Sequence, residues 1–193
     1  WSIDQVVCIG DEADLYQLSQ YHKRPDIPDL KQELKQLRRA VRQLASLFPV
    51  MLLCNSNHVE RMKKRVIEAG LPAELLTSWA DIIGAPAGWR WADRWVLDRV
   101  VYTHGSEFRA KTAARQALDL YRSNVVIGHL HQQAGVYYRK TTAGQLWCLQ
   151  TGCLVNHRHP VYDYSRLHHD KPVLGCGIVK TGGVPIFLPF EAL

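Results

Sequence analysis

The stretch Gly128-His129-Leu130-His131 places two imidazoles one residue apart directly after the apolar run Val125-Val126-Ile127. Such a run reads as a buried strand, and the loops outside the C-terminal ends of such strands form the crevice where open α/β sheets collect ligands. Two histidines held there have the geometry of a metal site. A lone His-x-His is weak evidence, but the same kind of junction recurs upstream. Val6-Val7-Cys8-Ile9 runs into Gly10-Asp11, Val50-Met51-Leu52-Leu53-Cys54 into Asn55-Ser56-Asn57-His58, and Val100-Val101-Tyr102-Thr103 into His104-Gly105. Taken singly, Gly10-Asp11 is a turn, Asn57-His58 the cap of a helix beginning near Glu60, and His104 a hydrogen-bonded polar residue. Their ordered recurrence at the ends of apolar runs is what points to chemistry.

In order and spacing this set resembles the calcineurin-like metallophosphoesterases. That family carries an Asp-x-His, then Gly-Asp, Gly-Asn-His-Asp/Glu, a His and Gly-His-x-His, each at the end of a strand. Here Gly10-Asp11, Ser56-Asn57-His58-Val59, His104 and Gly128-His129-Leu130-His131 match the second to fifth elements, across most of the chain. The resemblance implies that Asp11, Asn57, His104 and His129 surround one metal ion. It also implies that Asp11 bridges to a second ion, which His131 and the Asp-x-His of the first motif complete. Two such ions about 3.5–4 Å apart activate a water as nucleophile and clamp the phosphoryl oxygens. His58 would protonate or stabilise the leaving oxygen. Carboxylate, amide and imidazole ligands without thiolate suit Mn²⁺ first, with Fe, Zn²⁺ or Mg²⁺ as alternatives, over a sulfur-rich zinc site or an all-oxygen Ca²⁺ site.

The chain departs from that pattern in two places. It opens at Trp1, immediately before the Gly-Asp strand, where the family has already passed through a first strand and helix. A truncated start is the expectation, with a one-metal variant of weakened activity as the alternative. In the third motif Ser56 replaces the usual Gly, and Val59 stands where the family has the Asp or Glu that orients the catalytic His. Glu60, one position later, is the nearest carboxylate to take that part.

The elements that must position these residues are those of an α/β chain. With 193 residues, 47% of them hydrophobic and 22% charged, one domain over 1–193 can bury a substantial core. The expected architecture is two packed mixed β-sheets flanked by helices, the αββα sandwich of the family, with its first strand and helix missing. No apolar run approaches the roughly 20 residues of a membrane span and no signal peptide opens the chain, so a cytoplasmic protein without membrane contact is expected. Five scattered cysteines without Cys-x-x-Cys spacing argue for buried reduced thiols rather than a disulfide framework. A net charge of +6 favours a polyanionic partner such as nucleic acid.

Leu30, Leu34, Leu37, Val41, Leu44 and Phe48 recur at helical steps between Asp29 and Phe48, forming a stripe suited to packing on a sheet. Lys31, Lys35, Arg38 and Arg42 follow the same steps one position later, with Arg39 further round. They read either as a solvated face or as a ridge contacting phosphates. Residues 21–28, with Pro25 and Pro28, read as a loop. A second helix is expected from about Glu60 to Ala69, ending at Gly70, and a short helical piece from Pro72 towards Trp79. Arg61, Lys63, Lys64 and Arg65 add charge just after His58. Gly84 to Trp95 reads as a loop whose tryptophans pack on the core, with base stacking as the alternative. It leads into a strand pair around Trp95-Leu97 and Val100-Thr103.

After His104, Arg109 is the basic residue suited to clamp a phosphate, ahead of a helix over Thr112–Tyr121. Strands are expected at Gly135–Arg139, Leu146–Gln150, Leu174–Lys180 and Pro185–Leu188, forming a second sheet. Asn156 to Asp170 reads as a histidine-rich loop with His157, His159, His168 and His169. The leading function is metal-dependent phosphodiester hydrolysis, a nuclease or nucleotide phosphodiesterase. The alternatives are a phosphomonoesterase with the same metals, or a catalytically weakened one-metal module that binds nucleic acid.

Overall fold

A computed structural model describes residues 2–20, 23, 25, 27–156 and 169–190. The chain is α/β, with sheets flanked by helices, and divides into two compact units, Trp1–Ala92 and Asp93–Leu193. Of the histidine-rich loop, His157, His159 and His168 lie outside the described residues, as do positions 21, 22, 24 and 26 of the expected loop before the first helix.

In the first unit the strands β1 (Val7–Cys8), β2 (Met51–Cys54) and β3 (Trp89–Ala92) form a parallel sheet in that order. The first crossover is α1 (Leu30–Leu47); α2 (Glu60–Glu68) and α3 (Trp79–Ile83) lie between β2 and β3. Helix α1 begins where its sequence says it should. The Asp29 carboxylate accepts the Gln32 N–H at 2.8 Å, satisfying one of the donors a helix start leaves open. Leu37, Val41 and Ala45 pack with Met51, Leu53, Ile83 and Trp89 into one core. The expected apolar stripe is narrower than its periodicity: Leu44 is 42% exposed, while Val41 and Ala45 on either side of it keep to that core. Helix α2 ends one residue early, with Gly70 N–H bonded to Ile67 O at 2.9 Å beyond its cap.

The tryptophan-dense segment corrects the loop reading. Trp89 to Ala92 is a strand, because Trp89 and Trp91 alternate along it and pair with Met51 and Leu53 of β2. Trp89 is buried, and its Nε1–H donates to Phe48 O at 2.8 Å. Gly88 precedes it for a steric reason: a Cβ there would lie 2.3 Å from Pro49 O.

In the second unit, β4 (Arg94–Leu97), β5 (Val100–Thr103), β6 (Asn124–Ile127), β7 (Ala134–Thr141) and β8 (Gly144–Thr151) form a five-stranded mixed sheet. Its order is β4-β5-β6-β8-β7. The inner strands β5, β6 and β8 are parallel, and the antiparallel β4 and β7 close the edges. Helix α4 (Ala113–Tyr121) crosses from β5 to β6, and its Ala113, Ala117 and Leu118 bury against Val125, Ile127 and Cys148. A hairpin of β9 (Gly175–Lys180) and β10 (Val184–Pro189) contacts β7 and β8. Among the described residues, no helix is long and apolar enough to cross a membrane.

Candidate metal centre

The parallel pairing of β5 with β6 sets Thr103 beside Ile127. The residues that follow the two strands therefore leave the sheet side by side, on strands about 4.8 Å apart. His104 is the first residue after β5 and His129 the second after β6, and Gly128 N–H ties the two exits by bonding His104 O at 3.1 Å. The rings meet edge to face with centroids 5.0 Å apart, and His129 Nδ1 lies 3.1 Å from His104 Nε2. His104 is buried. His129 reaches this position with φ of 62°, a left-handed backbone uncommon outside glycine. Gly105 after His104 also has φ of 88°, and a Cβ there would press to 3.2 Å from Ile127 Cβ. For His129, which carries a side chain, such backbone costs of order 1–3 kcal/mol and persists where function or packing imposes it, whereas glycine adopts it freely.

Two imidazole nitrogens this close admit either one shared proton or two lone pairs turned on a common cation. Ligand nitrogens about 2.0–2.1 Å from one ion, at angles between octahedral and tetrahedral, lie roughly 2.8–3.4 Å apart. The observed separation fits adjacent ligands of a single ion. Burial pushes the thiols of Cys8, Cys54 and Cys148 up to about 12, and raises those of Cys153 and Cys176 as well. All five remain free thiols, as their spacing suggested. His131 follows two residues after His129, and its carbonyl accepts the Val173 N–H at 2.8 Å. Arg109 is exposed, and its main chain is bonded to the Gln116 side chain, N–H to Oε1 at 3.2 Å.

The first unit assembles its own group at the ends of β1 and β2. Asp11, in the turn after β1, has φ of 57°. His58, in the turn after β2, sets its Nδ1 4.0 Å from Asp11 Oδ1 and 3.2 Å from Asp14 Oδ1. Asn57 does not cap α2; Val59 holds that position without a side-chain bond. Glu60 does not orient His58 either. It is the exposed first residue of α2, and the carboxylate beside the imidazole is that of Asp14. Arg61 flanks the same carboxylate at 3.4 Å and also donates to Asp14 O. Arg65 is occupied with structure, donating to Leu18 O at 3.0 Å and Ser19 O at 2.7 Å.

Burial pushes the Asp14 carboxyl up, but His58 and Arg61 outweigh it and hold the group below the ordinary aspartate value. A lowered folded value means that the ionised carboxylate stabilises the fold above its ordinary pKa, and that this contribution is lost as pH falls through the folded value. Asp14→Asn is therefore expected to lower stability at neutral pH and to change little in strong acid, which urea unfolding across that range measures.

Asp14 Oδ2, Glu12 Oε2 and Ser56 Oγ are buried without a hydrogen-bond partner among the described residues. Buried oxygens are ordinarily satisfied by a donor, an ordered water or a cation, and these three have none of the described donors. Glu12 spends its other oxygen, Oε1, on two indoles, accepting Trp79 Nε1–H at 2.7 Å and Trp91 Nε1–H at 2.9 Å. Those rings are thus held by the turn after β1 and packed on the core, not presented for stacking.

Asp14 is the residue that sequence reasoning passed over, although it stands three positions after Asp11 in Gly-Asp-Glu-Ala-Asp. Neither protein-family models nor curated proteins give a match to this chain.

Proposed function

We propose that this chain is a calcineurin-like metallophosphoesterase, with the αββα architecture of that family, that hydrolyses phosphodiester bonds of nucleic acid or a nucleotide. The observation that carries the reading is the His104–His129 pair, whose facing nitrogens 3.1 Å apart suit two ligands of one ion. Asp11 and Asn57 are the proposed further ligands, with His131 and a bridging Asp11 for a second ion. A divalent cation, Mn²⁺ first among Mn²⁺, Fe, Zn²⁺ and Mg²⁺, would supply Lewis acidity towards the phosphoryl oxygens and an activated water.

The remaining roles belong to the chain's own side chains. His58, its Nδ1 turned to Asp14, keeps its Nε2 for the leaving oxygen and donates the proton that oxygen needs. The Asp14 carboxylate, 3.2 Å from Nδ1, is the proposed orienting partner of the ring, the part the family gives to the residue at Val59. Arg109, exposed and without a carboxylate partner among the described residues, is the proposed phosphate contact.

Hydrolysis of bis(p-nitrophenyl) phosphate against p-nitrophenyl phosphate in Mn²⁺ tests the substrate class. The diester is expected to turn over faster. Dominant monoester hydrolysis would replace the diesterase reading with a phosphomonoesterase, and neither metal uptake nor turnover of either ester would end the phosphoesterase reading for this chain.

A further inference from the structure

Helix α1 carries Lys31, Lys35, Arg38, Arg39 and Arg42, all exposed. Among the described residues none of them has a carboxylate within ion-pair distance. The single acid of the helix, Glu33, is turned inward, where its Oε1 accepts the Leu15 N–H at 2.5 Å. The cations are neighbours at three- and four-residue steps, Lys31 with Lys35, Lys35 with Arg38 and Arg39, Arg38 and Arg39 with Arg42. Each like-charge pair of that spacing works against the helix. A solvated surface helix usually offsets such pairs with acids one turn away, and α1 does not. Arg38 is also fixed in place: its Nε–H donates to Ile82 O at 2.7 Å, which holds the guanidinium still while leaving its two terminal nitrogens free of described partners.

We propose that this ridge of α1 docks the phosphate backbone of double-stranded nucleic acid. Charge complementarity selects a polyanion. From Lys31 to Arg42 the ridge rises about 16 Å at roughly 1.5 Å per residue, a length over which a duplex presents several phosphates of each strand, at about 3.4 Å per strand. Arginine guanidinium groups suit phosphate because they donate two parallel bonds.

The composition of the helix also chooses among polyanions. A single strand is held by aromatic side chains on which bases stack, and α1 has none between Leu30 and Leu47. A helix that lies on a membrane must bury its apolar face in lipid, whereas Leu37, Val41 and Ala45 of α1 are committed to the core of their own unit. Contacts to phosphate alone carry no base information, so the docking is independent of sequence.

Binding at the ridge needs no metal, and the test is run in EDTA on the full chain, so that its outcome is separate from that of the metal assignment. The probe is a two-turn DNA duplex of arbitrary sequence, titrated at several NaCl concentrations. The comparison is between Lys31→Gln/Lys35→Gln/Arg38→Gln/Arg42→Gln and a charge-matched control in the second unit, Lys111→Gln/Arg122→Gln/Lys140→Gln/Lys171→Gln. Unfolding midpoints are taken for both, and the single variant Lys35→Glu stands in for the ridge set should that set unfold.

At about 0.9 per phosphate neutralised, the ridge variant is expected to lose about 3 to 4 from the slope of log K against log salt, and more than about tenfold in affinity at low salt. The control is expected to keep its slope within about 1. Equal losses in both variants would assign the binding to bulk charge and overturn the proposal. So would an unchanged ridge variant, or a wild type that ignores duplex DNA yet binds phosphatidylserine vesicles.

Discussion

Replacing His129 with alanine is expected to strip the chain of bound Mn²⁺. Partners that merely orient a ligating histidine already carry about 10–100-fold in metal affinity, so removing a ligand itself should weaken binding by more than about 100-fold. Calorimetric titration of the refolded chain with Mn²⁺, together with elemental analysis after dialysis, reads this directly. His129 is a loop residue with a half-buried side chain, so the substitution leaves no large core cavity, but alanine at φ of 62° keeps the left-handed strain, so the unfolding midpoint is compared with wild type. His104→Ala should have the same effect on metal, but it empties a buried position, so its unfolding midpoint must be compared with wild type before the result is read. His169, fully exposed beside Asp170, supplies the control: His169→Ala should bind Mn²⁺ as wild type does. Unchanged affinity in His129→Ala would remove the central pair from the metal site, whatever the activity of the chain.

His58→Ala should separate chemistry from metal binding. A positioned proton donor contributes about 10²–10⁴-fold, and kcat should fall by that order while Mn²⁺ affinity stays at the wild-type value. The leaving group provides the sharper signature. An oxygen that departs as nitrophenolate needs little protonation, whereas a sugar hydroxyl needs it badly. The deficit of His58→Ala should therefore be small with bis(p-nitrophenyl) phosphate and large with a dinucleotide. Asp14→Asn should follow the same leaving-group trend with a smaller loss, because the imidazole remains but its orientation and tautomer are less well held. A loss that is equal for both leaving groups, or one accompanied by loss of metal, would make His58 a structural or ligating residue instead of the acid.

Much of this arrangement is written in local pattern. Apolar runs of four or five residues ending in Asp, Asn or His announce parallel strands with polar exits. The pairing of Val100–Thr103 with Asn124–Ile127 shows why His104 and His129 meet: equal strand lengths in register send both exits out side by side, and His129, one position further along than His104, turns back with φ of 62°. The cap at Asp29 and the helical spacing that follows determine α1 in the same way, since both depend on residues within a turn of each other. The basic stripe one step round from the apolar one is likewise a matter of spacing on a single helix.

What periodicity does not contain is which side chain from a different segment fills a given vacancy. Glu60 was the nearer carboxylate along the chain, yet Asp14 stands beside His58, because parallel pairing of β1 with β2 brings their two exit turns together while α2 carries Glu60 outward. Gly84 to Trp95 looks like a loop for its glycine, proline and ring content; its residues Trp89 to Ala92 are a strand because they pair with the edge of β2, and Glu12, far back in the chain, accepts the Trp91 indole. Leu44 fits the apolar stripe by spacing and is nevertheless exposed, whereas its neighbour Ala45 packs on the core. Period and capping are properties of neighbours in sequence, legible in the residues alone. Pairing across a crossover depends on strand order and register, and those exist only once the chain has folded.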